Sequence, residues 1–342
     1  MRRLPYTVRS DDCPFRVACY LADLEPGLSM RLSHLLTAGL FVSAWGAQWE
    51  ALAAPAVSEP PAPEAQAEAP APAQEAKDIV LANHRAVYDL SLAEGGGTRS
   101  VESARGRIVI DFRGDACRGY TMLTRQVTEL SSGETGPRLS DMRSTTFEGG
   151  KGREFRFKTT TLTNNQPAAP VDGTASEQGQ GPGDSVTVKL KGAAKPFTVE
   201  GPVLFPSEHM RHLITAARAG HSTVSAKVFD GSDDGKKIYD TFAVIGHAGT
   251  GPAADTARDK PLREGPLASM PHWPVRLSYY TPGAGERTPI YTLGFDLYEN
   301  GVSGALKLDY GEFAILGDMT ALDIDTQAGR ATAREGDKGC TP

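Results

Sequence analysis

Hydrophobic and polar positions alternate along most of the chain after about residue 80, which is the period of a β-strand. The alternating runs are short, rich in Thr, Val, Phe and Tyr, and separated by Gly, Asn or Asp. They predict strands over 86–92, 105–113, 119–130, 141–147, 151–163, 185–190, 197–199, 224–229, 237–245, 274–280, 289–297, 302–310 and 313–323. About a dozen such strands in one stretch indicate an antiparallel barrel, a sandwich or a strongly curved sheet.

One segment interrupts this pattern with a helix. Ser207 follows Pro206 and is predicted as its N-cap, and Gly220 is predicted to end it. Asn300-Gly301 predicts a type I′ hairpin, because both central residues of that turn need positive φ. Turns are also predicted at 95–97, 149–150 and 233–235, and the polar stretches 166–184 and 247–263 are predicted to be surface loops.

The N-terminal part divides into three segments. Residues 30–53 contain Arg31, an apolar run and the sequence Ala51-Leu52-Ala53, which predicts a cleavable signal peptide; a short membrane anchor is the alternative. Residues 1–29 carry acidic residues ahead of that signal, so we interpret them as a gene-model extension with Met30 as the true start. Residues 54–76 are rich in Pro and Ala and predict a disordered linker. A single β-barrel-like domain is expected over 77–342.

Composition excludes several classes of protein. The chain has 36 basic and 42 acidic residues, a net charge of −6 and no basic tract, which argues against nucleic-acid binding. No internal stretch approaches the roughly 20 apolar residues of a membrane span, so the mature protein is expected to have none.

Cysteine usage gives the clearest chemical expectation. Removal of residues 1–53 leaves only Cys117 and Cys340 of the four cysteines. An even number in an oxidising compartment favours a structural disulfide. A reactive or lipid-modified cysteine is the alternative, although a lipoprotein would need a cysteine directly after the signal.

Candidate catalytic and metal-binding motifs are weak. His209 and His212 lie one helical turn apart, but Glu208 precedes the first histidine and no third ligand follows in sequence. Ser303 lies in Gly-Val-Ser-Gly, which lacks the spacing of a nucleophile elbow. Nothing in the sequence pairs the late carboxylates Asp309, Glu312, Asp318, Asp323 and Asp325. We therefore predict no catalytic residue, no metal and no cofactor.

Several strands have one apolar face, as in the runs 153–158 and 306–310. A curved sheet with a continuous apolar concave face can enclose a hydrophobic ligand. The alternative is that the protein's own side chains fill this face.

The chain resembles the EipB family of alphaproteobacterial cell-envelope integrity proteins over about residues 77–342. The resemblance lies in the early-strand run 111–117 that ends at Cys117, and in Gly339-Cys340 near the C-terminus. Further points are the opening run 82–88, the helix start 205–209, and Tyr279-Tyr280 followed by 289–291.

The resemblance implies an open, strongly curved β-barrel or β-spiral in the periplasm, similar in outline to the lipoprotein carriers LolA and LolB, with a Cys117–Cys340 disulfide. It implies a non-enzymatic role in envelope integrity, through a lipid-like or lipoprotein-derived ligand or a periplasmic protein partner. Two alternatives stay open: a hydrolase or transferase whose carboxylates meet only in the fold, and a scaffold with a filled barrel.

Overall fold

Sixteen strands form one sheet in the part of the chain that the computed structural model describes, residues 79–94, 101–133, 136–150, 152–178, 185–250, 258–283 and 285–325. The three N-terminal segments, the turn at 95–97 and Cys340 lie outside the described residues. Within those residues, no helix combines the length and the hydropathy that crossing a membrane requires.

The strand bounds follow the alternating pattern closely. In chain order the strands are β1 (His84–Leu92), β2 (Ser103–Asp115), β3 (Gly119–Ser132), β4 (Gly136–Glu148), β5 (Glu154–Thr163), β6 (Gln166–Pro167), β7 (Val171–Gln178), β8 (Ser185–Leu190), β9 (Phe197–Glu200), β10 (Thr223–Val228), β11 (Tyr239–Ile245), β12 (Gly249–Thr250), β13 (Pro271–Tyr280), β14 (Tyr291–Tyr298), β15 (Ser303–Asp309) and β16 (Ala314–Ile324).

The strands pair antiparallel in the order β10-β11-β13-β14-β15-β16-β1-β2-β3-β4-β5-β7-β8-β9, with β12 beside β13 and β6 beside β5. The two ends of this path meet at a single parallel bridge between Leu204 and Val228. There the Leu204 N–H donates to the Lys227 carbonyl at 2.8 Å, and the Phe229 N–H donates to the Leu204 carbonyl at 3.0 Å. The result is an open, strongly curved barrel, which confirms the predicted fold class.

Alternation places the large apolar side chains on the concave face. On β2, Ile108 is buried while its neighbour Arg107 is exposed. On β3, Leu130 is buried, whereas Leu123 is 48% exposed on the outer face. The inner face therefore supplies the core, and the outer face carries charged and polar groups.

Helix α1 (Pro206–Arg218) follows β9 and packs on the concave face with Leu213, Ile214 and Ala217. It ends as predicted, because Gly220 adopts a φ of +76°. The N–H groups of Gly220 and His221 donate to the carbonyls of Ala217 and Ala216, which is the Schellman arrangement.

The start of the helix differs from the prediction. Phe205 is the N-cap residue and makes no side-chain capping hydrogen bond, and Pro206 takes the first helical position. Ser207 therefore lies inside the helix and is not its N-cap. The capping acceptor is Glu148, from the end of β4. A side chain that lies 59 residues away in sequence leaves no local signal.

Two predicted surface loops contain ordered, buried structure. In the stretch 166–184, β7 pairs with both β5 and β8, with Gly173 and Ala175 buried. The alternation is present, but residues this small give almost no hydrophobic signal. The stretch 247–263 contains β12 and a 3₁₀ turn, Lys260–Arg263, with Leu262 buried.

The Asn300-Gly301 hairpin forms, but with a different turn. Gly301 has a φ of +83°, whereas Asn300 is not among the residues with positive φ. The Gly301 N–H donates to the Tyr298 carbonyl, and the Tyr298 N–H donates to the Val302 carbonyl, both at 2.9 Å. This is a three-residue loop in which a turn is followed by a left-handed glycine, so the type I′ prediction is wrong.

Candidate functional site

A cavity of about 350 Å³ lies between helix α1 and the concave face of the sheet. Its volume falls within the roughly 300–1,000 Å³ usual for small-molecule pockets. Strands from both halves of the sheet contribute to its walls, which are mostly apolar, with side chains that include Ile110, Met122, Leu213, Leu277, Leu293 and Phe295.

Three neighbouring aromatic rings form part of the wall, with Phe112 stacked on Tyr120 and His84 tilted against Phe112. The Phe112 ring centroid lies 5.0 Å from that of Tyr120 and 5.8 Å from that of His84. His84 Nδ1 lies 2.8 Å from the Ala82 carbonyl oxygen, so this nitrogen carries the hydrogen. Burial lowers the pKa of His84. The imidazole is therefore neutral and serves as an aromatic surface.

Glu148 joins the cavity wall to the helix. Its Oε2 accepts the Ser207 N–H at 2.7 Å, and its Oε1 accepts the Glu208 N–H at 2.9 Å. These N–H groups belong to the second and third helical positions, which an N-cap side chain ordinarily satisfies. Burial raises the pKa of Glu148 to about 7, against the lowering effect of both hydrogen bonds.

His209 faces the cavity from the first turn of α1, and burial lowers its pKa to about 4. Its Nε2 lies 3.5 Å from Thr241 Oγ1, at the limit of a hydrogen bond. The Thr241 hydroxyl donates to the Ala226 carbonyl at 3.0 Å. His209 is therefore a neutral, weakly engaged polar group in the wall.

Asp230 lies at the edge of a tyrosine cluster. Its Oδ1 accepts the Ser232 N–H at 2.9 Å, and burial raises its pKa. The Tyr279 ring stacks on Tyr291 at 4.4 Å between centroids and meets Tyr239 edge-on at 5.7 Å. Burial raises the pKa of all three tyrosines, and the Asp230 charge adds to the increase. Asp230 and Tyr279 both line the cavity.

Comparison with known proteins assigns the chain to a family. Residues 75–326 match the model of the EipB-like proteins, which is most of the chain. The chain belongs to the EipB-like family.

Two relatives agree with this assignment. Cell envelope integrity protein EipB of Brucella abortus (strain 2308) is 33% identical over 253 residues, which cover 74% of this chain and 87% of the relative. A crystal structure of a β-barrel-like protein of a domain of unknown function from Brucella abortus is 31% identical, with a TM-score of 0.64. The match covers 72% of this chain and 100% of the Brucella chain. These matches confirm the resemblance drawn from the sequence.

The structure of this EipB-like chain describes one of the two cysteines of the predicted disulfide. Cys117 lies in the hairpin between β2 and β3, where Asp115 Oδ1 accepts the N–H groups of Cys117 and Arg118 at 3.0 and 2.8 Å. Cys117 has no free thiol. Its predicted partner Cys340 lies outside the described residues, so the pairing stays a prediction.

The weak motifs of the sequence do not assemble into a site. His209 is buried whereas His212 is exposed, so the two histidines face different environments. Ser303 lines the cavity, and its carbonyl accepts the Tyr88 hydroxyl at 2.6 Å. The five late carboxylates are not among the cavity-lining residues. Among the described residues, no group of three or more His, Cys, Asp or Glu is arranged to hold a metal.

Sequence reasoning missed the polar groups that the cavity contains. Glu148 shares the inner face of β4 with Ser140 and Thr146, so polar residues occupy positions where an apolar pattern would mark the inside. Asp230 lies just beyond the end of β10. Neither residue belongs to a motif, and only the closure of the sheet around α1 brings them to one cavity.

Proposed function

We propose that this protein supports cell-envelope integrity as a non-enzymatic periplasmic binding protein. It holds the apolar chain of a lipid-like or lipoprotein-derived molecule between α1 and the concave face of the sheet. The envelope role is supported by family membership and by the printed name of the Brucella relative. Periplasmic location is supported by the signal sequence at 30–53.

The cavity is the observation that carries the binding proposal. A filled scaffold would leave no space of about 350 Å³ inside the barrel. Each methylene group transferred from water into such a space contributes roughly 0.8 kcal/mol. An acyl chain that fills the cavity therefore gains enough to offset the loss of its freedom in solution.

A hydrolase is the second candidate, because Glu148, His209 and Asp230 line one cavity and have shifted pKa values. The contacts favour binding instead. Each Glu148 oxygen already accepts a helix N–H. A histidine whose pKa is about 4 is a poor general base at neutral pH, and its hydroxyl neighbour Thr241 donates to a backbone carbonyl. If the protein is a hydrolase, acyl esters are cleaved and His209→Ala abolishes the cleavage.

The binding proposal is tested with two neighbouring positions on β3. Met122 lines the cavity, whereas Leu123 is 48% exposed on the outer face. Met122→Trp should fill the cavity and weaken binding of the fluorescent apolar probe N-phenyl-1-naphthylamine by at least about tenfold. Leu123→Trp, the matched control, should bind like the wild type. Circular dichroism of both variants checks that each has folded.

Native mass spectrometry of protein purified from its own periplasm, with organic extraction, identifies the ligand class. The proposal fails if the wild type binds no apolar probe and yields no acyl-chain species. In cells that lack the gene, wild type and Leu123→Trp should restore resistance to detergent, and Met122→Trp should not. If Met122→Trp restores resistance as well as the wild type does, the envelope role does not depend on ligand binding in the cavity.

A further inference from the structure

The charged groups of the cavity all have one sign. Glu148 and Asp230 are the acidic lining residues, and no Lys or Arg is among the described residues that line it. Arg211 lies nearby, with its guanidinium 5.7 Å from the Tyr120 ring centroid, but it pairs with Glu208 at 2.9 Å. An anionic head group placed in this cavity would meet the Asp230 carboxylate and, above about pH 7, the Glu148 carboxylate, with no Lys or Arg among the described lining residues to compensate.

The surroundings of Asp230 are suited to a cation. Asp230 and Tyr279 line the same cavity, the Asp230 charge acts on the Tyr279 hydroxyl, and the Tyr279 ring packs against Tyr239 and Tyr291. Aromatic faces next to a carboxylate attract ammonium groups through the ring quadrupole and through charge. Burial raises the pKa of Asp230, although hydrogen bonds from Ser232 lower it, and a bound cation would offset the desolvation.

We infer that the cavity selects an amphiphile whose polar end is an ammonium group, seated between Asp230 and Tyr279, with its apolar chain along Leu277, Leu293 and Phe295. This inference rests on the proposed binding function and names the class of ligand. A fatty acid or a phosphate head group is disfavoured, because juxtaposed like charges in a buried site are strongly unfavourable.

The test compares four probes with the same twelve-carbon chain, below their micelle concentrations. They are dodecylamine, dodecyltrimethylammonium, dodecanol and dodecanoate, and their dissociation constants are measured by displacement of N-phenyl-1-naphthylamine. The two ammonium probes should bind at least about tenfold more tightly than dodecanoate, and dodecanol should bind with an intermediate affinity. Lysophosphatidylethanolamine, which has the same ammonium beside a phosphate, distinguishes a phospholipid source from a free amine.

Asp230→Asn isolates the charge. The side chain keeps its shape and an oxygen for the Ser232 N–H, so dodecanol affinity should stay unchanged while the preference for ammonium over dodecanoate falls at least about fivefold. Asp234→Asn is the matched control, because Asp234 lies in the same connection with a side chain that is 43% exposed. Its variant should keep the wild-type preference.

The outcomes separate the two proposals. If dodecanol and dodecanoate bind as tightly as the ammonium probes, the head-group inference is wrong and the binding function stands. If the preference survives in Asp230→Asn, Asp230 does not select the head group and the inference is likewise overturned. If the dye binds to the wild type but none of the four probes displaces it, the head-group inference is wrong. If the dye does not bind and organic extraction yields no acyl-chain species, the binding function is wrong.

Discussion

The Glu148 carboxylate accepts the Ser207 N–H at 2.7 Å and so fixes the first turn of α1 to the end of β4. The other end of the helix is attached to the opposite side of the sheet, because Arg218 pairs with Glu299 at 3.0 Å. The helix thus bridges strands that lie far apart in the sheet order. Because α1 forms one side of the cavity, these contacts set the cavity's width.

Glu148→Ala should lower the free energy of unfolding by about 2–4 kcal/mol, since it leaves the Ser207 and Glu208 N–H groups without an acceptor in a buried position. Urea denaturation measures the change as a lower midpoint with an unchanged slope. Glu154→Ala, on the exposed face of β5, is the control and should change stability by less than about 0.5 kcal/mol. A loss below about 1 kcal/mol for Glu148→Ala would show that the carboxylate does not support the helix.

Stability should also depend on pH through Glu148. Burial raises its pKa from 4.5 to about 7 in the fold, with the Glu208 charge adding to the increase. Between these values the folded chain holds a proton that the unfolded chain has released. The free energy of unfolding therefore falls as pH rises through this window, by at most about 1.4 kcal/mol per pH unit.

Other groups titrate nearby, so the comparison is made against Glu148→Gln. The pKa of His209 is lowered from 6.5 to about 4, which gives the opposite slope between these values. Subtracting the variant from the wild type leaves the Glu148 contribution, and this difference should decline from pH 5 to pH 7. A flat difference, or one that grows with pH, contradicts a raised pKa.

Much of the fold was predictable because its signal is local. On β2, the exposed residues Arg105 and Arg107 alternate with the smaller or apolar residues Ala104, Gly106 and Ile108, and this local pattern indicates the strand. The glycine end of α1 at Gly220 depends only on the chain next to it. Family resemblance then supplied the curvature, which alternation alone left open among barrel, sandwich and curved sheet.

The parts that could not be predicted depend on long-range contacts. The cap of α1 comes from Glu148, on a strand distant in sequence, whereas the local sequence predicted Ser207 as the N-cap. The cavity is lined by residues of at least eight elements, and their inward phase reverses with a one-residue register error. Asp230 acquires a role only through its neighbours in space.

Gly173→Val tests β7, the strand that the hydrophobic pattern did not predict. A Cβ added at Gly173 would lie 2.6 Å from Phe157 Cζ and 2.8 Å from the Lys189 carbonyl oxygen. A side chain of β5 and the backbone of β8 therefore occupy the space that a residue with a side chain would need. The variant should lose about 1–3 kcal/mol of stability, measured by thermal and urea unfolding. Thr174→Val, on the exposed face of β7, should be neutral or slightly stabilising; equal effects at both positions would contradict the register.

Cys117 and Cys340 should form a disulfide in the exported protein. The intact mass should be two protons below the reduced value, and a peptide map should join the two cysteines. Closure of a loop of roughly 220 residues is worth about 5 kcal/mol on the chain-entropy model. Cys340→Ser should therefore destabilise the oxidised protein and make the Cys117 thiol reactive. Alkylation of both cysteines without prior reduction would contradict the pairing.

Asp259 holds the chain before the 3₁₀ turn against the late strands. It is buried with a φ of 52°, a conformation that Asp tolerates better than most residues. Its Oδ2 accepts the Ala305 N–H at 2.8 Å, its Oδ1 accepts the Met319 N–H at 2.6 Å, and its own N–H donates to Asp318 Oδ1 at 2.7 Å. One side chain thereby joins β15 and β16.

Asp259→Ala should lower the free energy of unfolding by about 2–4 kcal/mol, because the buried Met319 N–H and the partly buried Ala305 N–H lose a charged acceptor. Asp259→Asn keeps one carbonyl acceptor and should lose less. Glu312→Ala, at the exposed turn between β15 and β16, is the control and should have no measurable effect. Chemical denaturation measures the free energy of unfolding of the three variants. If Asp259→Ala is no less stable than Glu312→Ala, Asp259 does not stabilise the late strands. The affected strands include β15, whose Ser303 accepts the Tyr88 hydroxyl in the cavity wall, so Asp259→Ala should also weaken binding of the apolar probe.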